Sequence, residues 1–161
     1  GGYRGVARRM QVRGQAGGVT VIDDFAHHPT AVAETILAAR RRWPEARLVA
    51  VFEPRTNTSR RSIFQDRYAE VFGPADLVAL VPPYDPERIP EDERFDSARL
   101  VQALCQRGQD AALFADADAV VAGLVPALSP GAVVLVMSNG AFDGIHDKLL
   151  DALGRRGVRV S

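Results

Sequence analysis

Three runs of almost unbroken apolar residues constrain this chain more than any other feature. They are Leu48-Val49-Ala50-Val51-Phe52, Leu77-Val78-Ala79-Leu80-Val81 and Ala132-Val133-Val134-Leu135-Val136-Met137. A strand with one wet face alternates apolar and polar residues; a strand covered on both faces, as in a parallel sheet, reads as continuously apolar. Between the runs the spacing turns helical. From Pro29 to Trp43, the side chains of Val32, Ile36, Ala39 and Trp43 fall on one stripe, and Pro29 suits the first helical position. Phe64, Tyr68, Val71 and Phe72 repeat the pattern between Ser62 and Phe72. Further helices are expected at Ser97–Arg107, Asp116–Ala127 and Phe142–Leu153, with Gly154 placed to end the last. Strands alternating with helices predict an α/β fold: a Rossmann-like, doubly wound, mostly parallel sheet flanked by helices.

The opening segment breaks that rhythm. Arg9–Arg13 and Val19–Asp23 flank Gly14-Gln15-Ala16-Gly17-Gly18, which predicts an N-terminal β-hairpin leading into the first buried strand. The proline-rich, charged stretch 82–96 is expected to be an exposed loop. A length of 161 residues suits a single domain with a real core. Twenty basic and twenty acidic residues cancel, so net charge argues for neither nucleic acid nor an anionic membrane as partner. No apolar run approaches the ~20 residues of a membrane-spanning helix. Cys105, the single cysteine, excludes an intrachain disulfide or a cysteine metal cluster and fits a cytoplasmic protein. The chain begins abruptly with Gly1-Gly2-Tyr3-Arg4-Gly5, which points to a domain taken from a longer protein.

Ligands of doubly wound sheets collect outside the carboxyl ends of the strands, and three polar loops stand at such ends. The first is Asp23-Asp24-Phe25-Ala26-His27-His28-Pro29, where two carboxylates and two imidazoles precede a helix N-terminus. Free N–H groups there attract anions, a nearby Asp suits a ribose hydroxyl, and Asp with His also leaves a metal site open. The second is Glu53-Pro54-Arg55-Thr56-Asn57-Thr58-Ser59, whose arginine, amide and hydroxyls suit a carboxylate or phosphate. The third, Ser138-Asn139-Gly140, allows backbone N–H groups to approach an anion. As bare patterns these loops equally suit helix caps and solvated turns. The chain holds no G-x-x-x-x-G-K-[ST] phosphate loop, no G-x-G-x-x-G turn after the first strand and no G-x-S-x-G elbow at Ser138. Nothing in it would activate a nucleophile unaided.

Together these segments resemble the Mur ligase family, the ATP-dependent amide-forming enzymes of peptidoglycan synthesis, over nearly the whole chain. The resemblance is carried by Gly5-Val6-Ala7-Arg8-Arg9-Met10, the glycine-containing hairpin, and the Asp23–Thr30 loop, in which Phe25 stands where many members have tyrosine. Glu53-Pro54-Arg55-Thr56-Asn57-Thr58 and Ser138-Asn139-Gly140-Ala141-Phe142-Asp143-Gly144-Ile145-His146 are most similar to members acting in peptidoglycan recycling. Those join UDP-N-acetylmuramate to the tripeptide L-alanyl-γ-D-glutamyl-meso-diaminopimelate. The resemblance implies that residues 1–161 are the third, C-terminal domain of a three-domain ligase, closing over the nucleotide and holding the incoming peptide. The N-terminal UDP-sugar domain and the central ATPase domain, with its phosphate loop and most of the Mg²⁺ ligands, would belong to the same longer chain. This domain alone would then be inactive and would hold no metal of its own. By motif position, Arg9 resembles the arginine that reaches the ATP phosphates, Asp24 the carboxylate on the ribose, and His27 the imidazole beside the nucleoside. Arg55, Asn57 and Thr58, with Ser138 and Asn139, resemble the peptide-binding loops.

Two other readings stay open at the level of sequence. A sibling ligase that adds L-alanine to UDP-N-acetylmuramate shares the Asp-Asp and His-His-Pro pattern. A free-standing Rossmann-like module for nucleotides or anions would explain the strand-end loops without a ligase reaction. A phosphoacceptor domain built on Asp23-Asp24 would need a late lysine outside a helix, and Lys148, the only lysine, falls inside one.

Overall fold

The apolar runs become the middle of the sheet. The computed structural model describes residues 9–54 and 65–158. Among the described residues six strands run in chain order: β1 (Gln11–Ala16), β2 (Val19–Asp24), β3 (Leu48–Phe52), β4 (Leu77–Leu80), β5 (Asp110–Leu113) and β6 (Val133–Met137). They lie side by side as β1-β2-β6-β3-β4-β5. Only the β1–β2 pair is antiparallel; β2–β6, β6–β3, β3–β4 and β4–β5 are parallel. Every residue of β3 and β6 is buried, the condition that their unbroken apolarity anticipated.

The helices divide between the two faces. On one side α1 (Pro29–Arg42), α2 (Gln65–Tyr68) and α3 (Ser97–Gln106) pack Ile36, Tyr68, Leu100 and Leu104 against Ile22, Ala50, Phe52 and Leu135. On the other, α4 (Ala117–Leu124) and α5 (Ile145–Val158) pack Val120, Leu124, Leu149 and Leu153 against Val21, Val49, Val51 and Val134. Each such valine, leucine, isoleucine or phenylalanine side chain withdrawn from water contributes about 1.5–3 kcal/mol before conformational entropy is counted. Among the described residues no helix is long and apolar enough to cross a membrane.

The hairpin forms with Gly17 and Gly18 as its turn, at φ 58° and 79°, the pair of positive values that a tight two-residue connection requires. Several expected boundaries move for local reasons. The helix expected from Ser62 spans Gln65–Tyr68 within the described residues and gives way to turns. Asp116–Ala127 divides into α4 and a 3-10 turn at Val125–Ala127, because Pro126 has no N–H to continue the ladder. Phe142 and Asp143 form a left-handed corner, φ 46° and 52°, so the last helix starts at Ile145. Gly154 does not end it; α5 continues to Val158, and the cost of about 1 kcal/mol for an interior glycine is offset by burial of Leu149 and Leu153. Strand β5 went unanticipated. It is a half-exposed edge strand with an Ala-Ala centre, lacking the apolarity that marks its neighbours. The 82–96 segment is an irregular connection carrying short 3-10 turns at Pro86–Arg88 and Glu91–Glu93.

The hairpin turn gives a test of the packing. A Cβ on Gly18 would stand 2.7 Å from Pro130 Cβ and 2.9 Å from its Cα, at a positive φ as well. Gly18→Ala is expected to lower the unfolding free energy by about 2 kcal/mol in urea titrations, the sum of backbone strain and a clash with little room to relax.

Candidate functional site

Strand order builds the site. The chain places β2, then moves outward through β3, β4 and β5 before β6 returns between β2 and β3. That reversal is where ligands of doubly wound sheets bind. Because β2, β6 and β3 are adjacent and parallel, the loops after them leave the same rim side by side. The first and third polar loops and Glu53-Pro54, where the second begins, are therefore neighbours in space.

The pleat separates the two aspartates that end β2. Successive side chains of a strand point to opposite faces. Asp23 faces α5, where its carboxylate lies 3.2 Å from His146 Nε2 and 3.7 Å from Arg13 Nη1; the imidazole contact lacks hydrogen-bond geometry. Asp24 faces α1 and is wholly enclosed, at 0% exposure. Its Oδ2 accepts the backbone N–H of Met10 at 2.8 Å, and its Oδ1 accepts the N–H of Ala26 at 2.8 Å and the hydroxyl of Thr35 at 3.3 Å. Asp24 is the residue that the family resemblance assigns to the ribose; in the domain by itself its carboxylate has no exposed edge and accepts from three donors of its own chain. Nor do the two aspartates and two histidines form a common cluster: among the described residues no three His, Cys, Asp or Glu side chains are grouped to hold a metal ion.

What the first loop presents outward is His27 and the start of α1. His28 is the N-cap without a side-chain capping bond, Pro29 follows at the first helical position, and the first turn carries no acid. Its N–H groups therefore keep their full attraction for an anion. The half-buried His27 ring stands edge-on to Phe25, with centroids 5.6 Å apart, and its Nδ1 lies 3.1 Å from the Phe25 carbonyl oxygen. Beneath it the Tyr68 hydroxyl donates to the His27 carbonyl. Arg9 is exposed in the turn just before β1, and the next residue, Met10, adopts φ 51°.

On the β6 loop, Ser138 is fully buried; its Oγ donates to Glu53 Oε1 at 2.8 Å and accepts the Gly140 N–H at 3.1 Å. Its own N–H donates to the Asp24 carbonyl at 3.2 Å. The hydroxyl shapes the turn and leaves the half-buried Asn139 as the outward polar group of that loop. Arg55, Asn57 and Thr58 lie outside the described residues. Sequence reasoning passed over a cavity of about 550 Å³ at the carboxyl ends of the strands, lined by Glu53, Tyr84, Asp85, Asp116, Phe142 and Asp143. Its acids were visible as polar residues following apolar runs. Nothing local revealed that segment 82–85 and α4 would bring them together. Asp143 is fixed there by Lys148 at 2.8 Å, which also holds Asp118 at 2.9 Å, and these two carboxylates raise the ammonium to about 12.

Comparison with known proteins follows the same outline. The family model described as Mur ligase, glutamate ligase domain, matches residues 8–140. UDP-N-acetylmuramate–L-alanyl-γ-D-glutamyl-meso-2,6-diaminoheptandioate ligase of Escherichia coli (strain K12) is 42% identical over 157 residues, covering 97% of this chain and 32% of that protein. A murein peptide ligase from Psychrobacter arcticus 273-4 superposes with a TM-score of 0.79 at 30% identity, over 96% of this chain and 31% of the other. A domain assigned to a UDP-N-acetylmuramate:L-alanyl-γ-D-glutamyl-meso-diaminopimelate ligase from Haemophilus ducreyi 35000HP superposes at 0.69 with 36% identity, over 90% of this chain and 99% of that one. The chain thus spans about a third of the length of the full-length relatives it matches.

Burial of Tyr68 pushes its hydroxyl well above the ordinary tyrosine range. In the unfolded chain it ionises near 10.0, whereas in the fold it stays protonated and keeps donating to His27. The stability this gives is complete below that pH and is lost as pH rises beyond it. Tyr68→Phe is expected to cost about 1 kcal/mol at neutral pH, as a lost hydrogen bond. It should also flatten the fall in melting temperature above pH ~10, read by calorimetry.

Proposed function

Because the chain belongs to the Mur ligase family, we propose that it is the C-terminal domain of an ATP-dependent ligase of peptidoglycan recycling, joining UDP-N-acetylmuramate to L-alanyl-γ-D-glutamyl-meso-diaminopimelate. The observation that carries the choice of substrate is 42% identity to a ligase of that name across 97% of the chain. The reaction would run in the cytoplasm, where ATP and the UDP-sugar are found. The sugar's lactyl carboxylate attacks the γ-phosphorus of ATP and releases ADP. The peptide amine then attacks the acyl carbon, and phosphate and a proton leave. Neither step needs a nucleophile from this domain; positioning and charge stabilisation supply the acceleration.

The domain's part is to complete two binding walls. An anionic nucleotide suits an exposed arginine, an imidazole and a helix start without acids, so Arg9, His27 and the first turn of α1 form the nucleotide wall. Asp24 belongs to that wall, from beneath. The Mg²⁺ that accompanies ATP would shield phosphate charge and be held mainly by the central domain. On the peptide side, Arg55, Asn57, Thr58 and Asn139 are the donors for the tripeptide carboxylates, and Ser138 keeps its turn in shape. A buried carboxylate needs such partners to offset its desolvation.

Assays of the full-length enzyme test both walls. ADP release should depend on the tripeptide and not on L-alanine; the reverse dependence would make this the sibling ligase. Arg9→Ala is expected to raise KM for ATP about tenfold or more, the scale of a lost charged hydrogen bond, while Arg55→Ala raises KM for the tripeptide by a similar factor and leaves ATP unaffected. The isolated domain should fold yet show no ATPase or ligase turnover, since one wall alone assembles no catalytic site.

A further inference from the structure

We infer that Tyr68 is a positioning residue of the nucleotide site: its hydroxyl holds the His27 backbone from beneath and so aims the imidazole. This deepens the ligase reading and rests on His27 facing the nucleotide. The core itself asks little of position 68. The Tyr68 side chain is fully buried between Phe52, at the end of β3, and Phe95, with ring centroids 5.3 and 5.4 Å away. Packing of that kind needs only a phenyl ring, and phenylalanine would satisfy it without a polar atom to accommodate. The hydroxyl reaches past the core to the loop between β2 and α1, where it donates to the His27 carbonyl.

A planar peptide lets that one bond set a direction. Fixing the His27 carbonyl fixes the plane that His27 shares with His28, the N-cap of α1. The imidazole is steadied from a second side, since its Nδ1 lies 3.1 Å from the Phe25 carbonyl oxygen. The strut also has a firm base. Gln65, which opens α2, donates its side-chain NH₂ to the Asp96 carbonyl at 2.9 Å and accepts the Asp96 N–H at 2.8 Å. Arg67, beside Tyr68, donates to Thr30 Oγ1 in the first turn of α1 at 3.3 Å. Gln65 and Arg67 thus hold α2 without help from the Tyr68 hydroxyl. Removing that hydroxyl releases the His27 peptide while the helix and the ring stay in place, so aiming and packing can be separated.

Steady-state kinetics of the full-length enzyme make that separation. Tyr68→Phe is expected to raise KM for ATP about fivefold, the scale of a lost hydrogen bond, and to leave KM for the tripeptide within about twofold. Tyr68→para-aminophenylalanine, whose ring amine can donate to the same carbonyl, should bring KM for ATP back to within about twofold of the unaltered enzyme. Equal KM values for these two variants overturn the inference. A double-mutant cycle with His27→Ala tests whether Tyr68 acts through the imidazole. If it does, adding Tyr68→Phe to His27→Ala raises KM for ATP by less than about 1.5-fold. Effects that multiply overturn the inference, and so does a Tyr68→Phe enzyme with a lowered melting temperature and an unchanged KM for ATP. Either result leaves the hydroxyl a purely structural part. Failure of the parent reading looks different, because His27→Ala would then leave KM for ATP unchanged. That result removes the nucleotide wall and the inference together.

Discussion

A sheet covered on both faces has nowhere along its length to put chemistry. β3 and β6 are buried at every residue, and a polar group placed there would need a partner that an apolar layer cannot supply. The polar residues are therefore driven to the strand ends, and the return of β6 between β2 and β3 gathers three of those ends on one rim. The grouping of polar residues on that rim follows from this one constraint. The acids of the strand-end cavity, the half-exposed His27 and the turn at Asn139 all stand where an apolar strand stops.

Much of this could be read in advance because the relevant signals were local. Continuous apolarity located β3, β4 and β6 to within a residue or so, and Pro29 marked the start of α1. What escaped was set by tertiary context. β5 is an edge strand whose Asp110-Ala111-Ala112-Leu113 carries no apolar run, and it forms because β4 offers it a ladder. Gly154 has the chemistry of a helix stop, yet the leucines around it are buried on the α5 face and carry the helix onward. The order of strands, on which the site depends, leaves no trace in any single segment. Membership of the Mur ligase family was legible because the loop motifs that carry the resemblance are contiguous in sequence, and the family match spans residues 8–140.

Asp23 and Asp24 show why adjacency in sequence misleads about chemistry. As a pair they invite thoughts of a shared proton or a metal; on a pleated strand they look into different layers. Asp23 meets Arg13 and the His146 imidazole on the α5 side, while Asp24 joins backbone segments on the α1 side. Asp24 also reaches the third loop, since its carbonyl accepts the Ser138 N–H and the Ser138 hydroxyl donates to Glu53. A chain of hydrogen bonds from Met10 through Asp24 and Ser138 to Glu53 thus crosses the three central strand ends. It ties the three strand ends to one another.

The two outer strands carry a different consequence. An unpaired edge exposes a row of N–H and C=O groups that can recruit a strand from another molecule. Here one edge is β1, which carries Arg13 and has a register irregularity between Val12 and Gly14, and the other is β5, only four residues long and opening on Asp110. A bulged, charged edge and a very short one are both poor templates for an added strand, because neither presents a long flat ladder. Growth of the sheet from molecule to molecule is hindered at both edges, so the described fold stands by itself without a sticky seam.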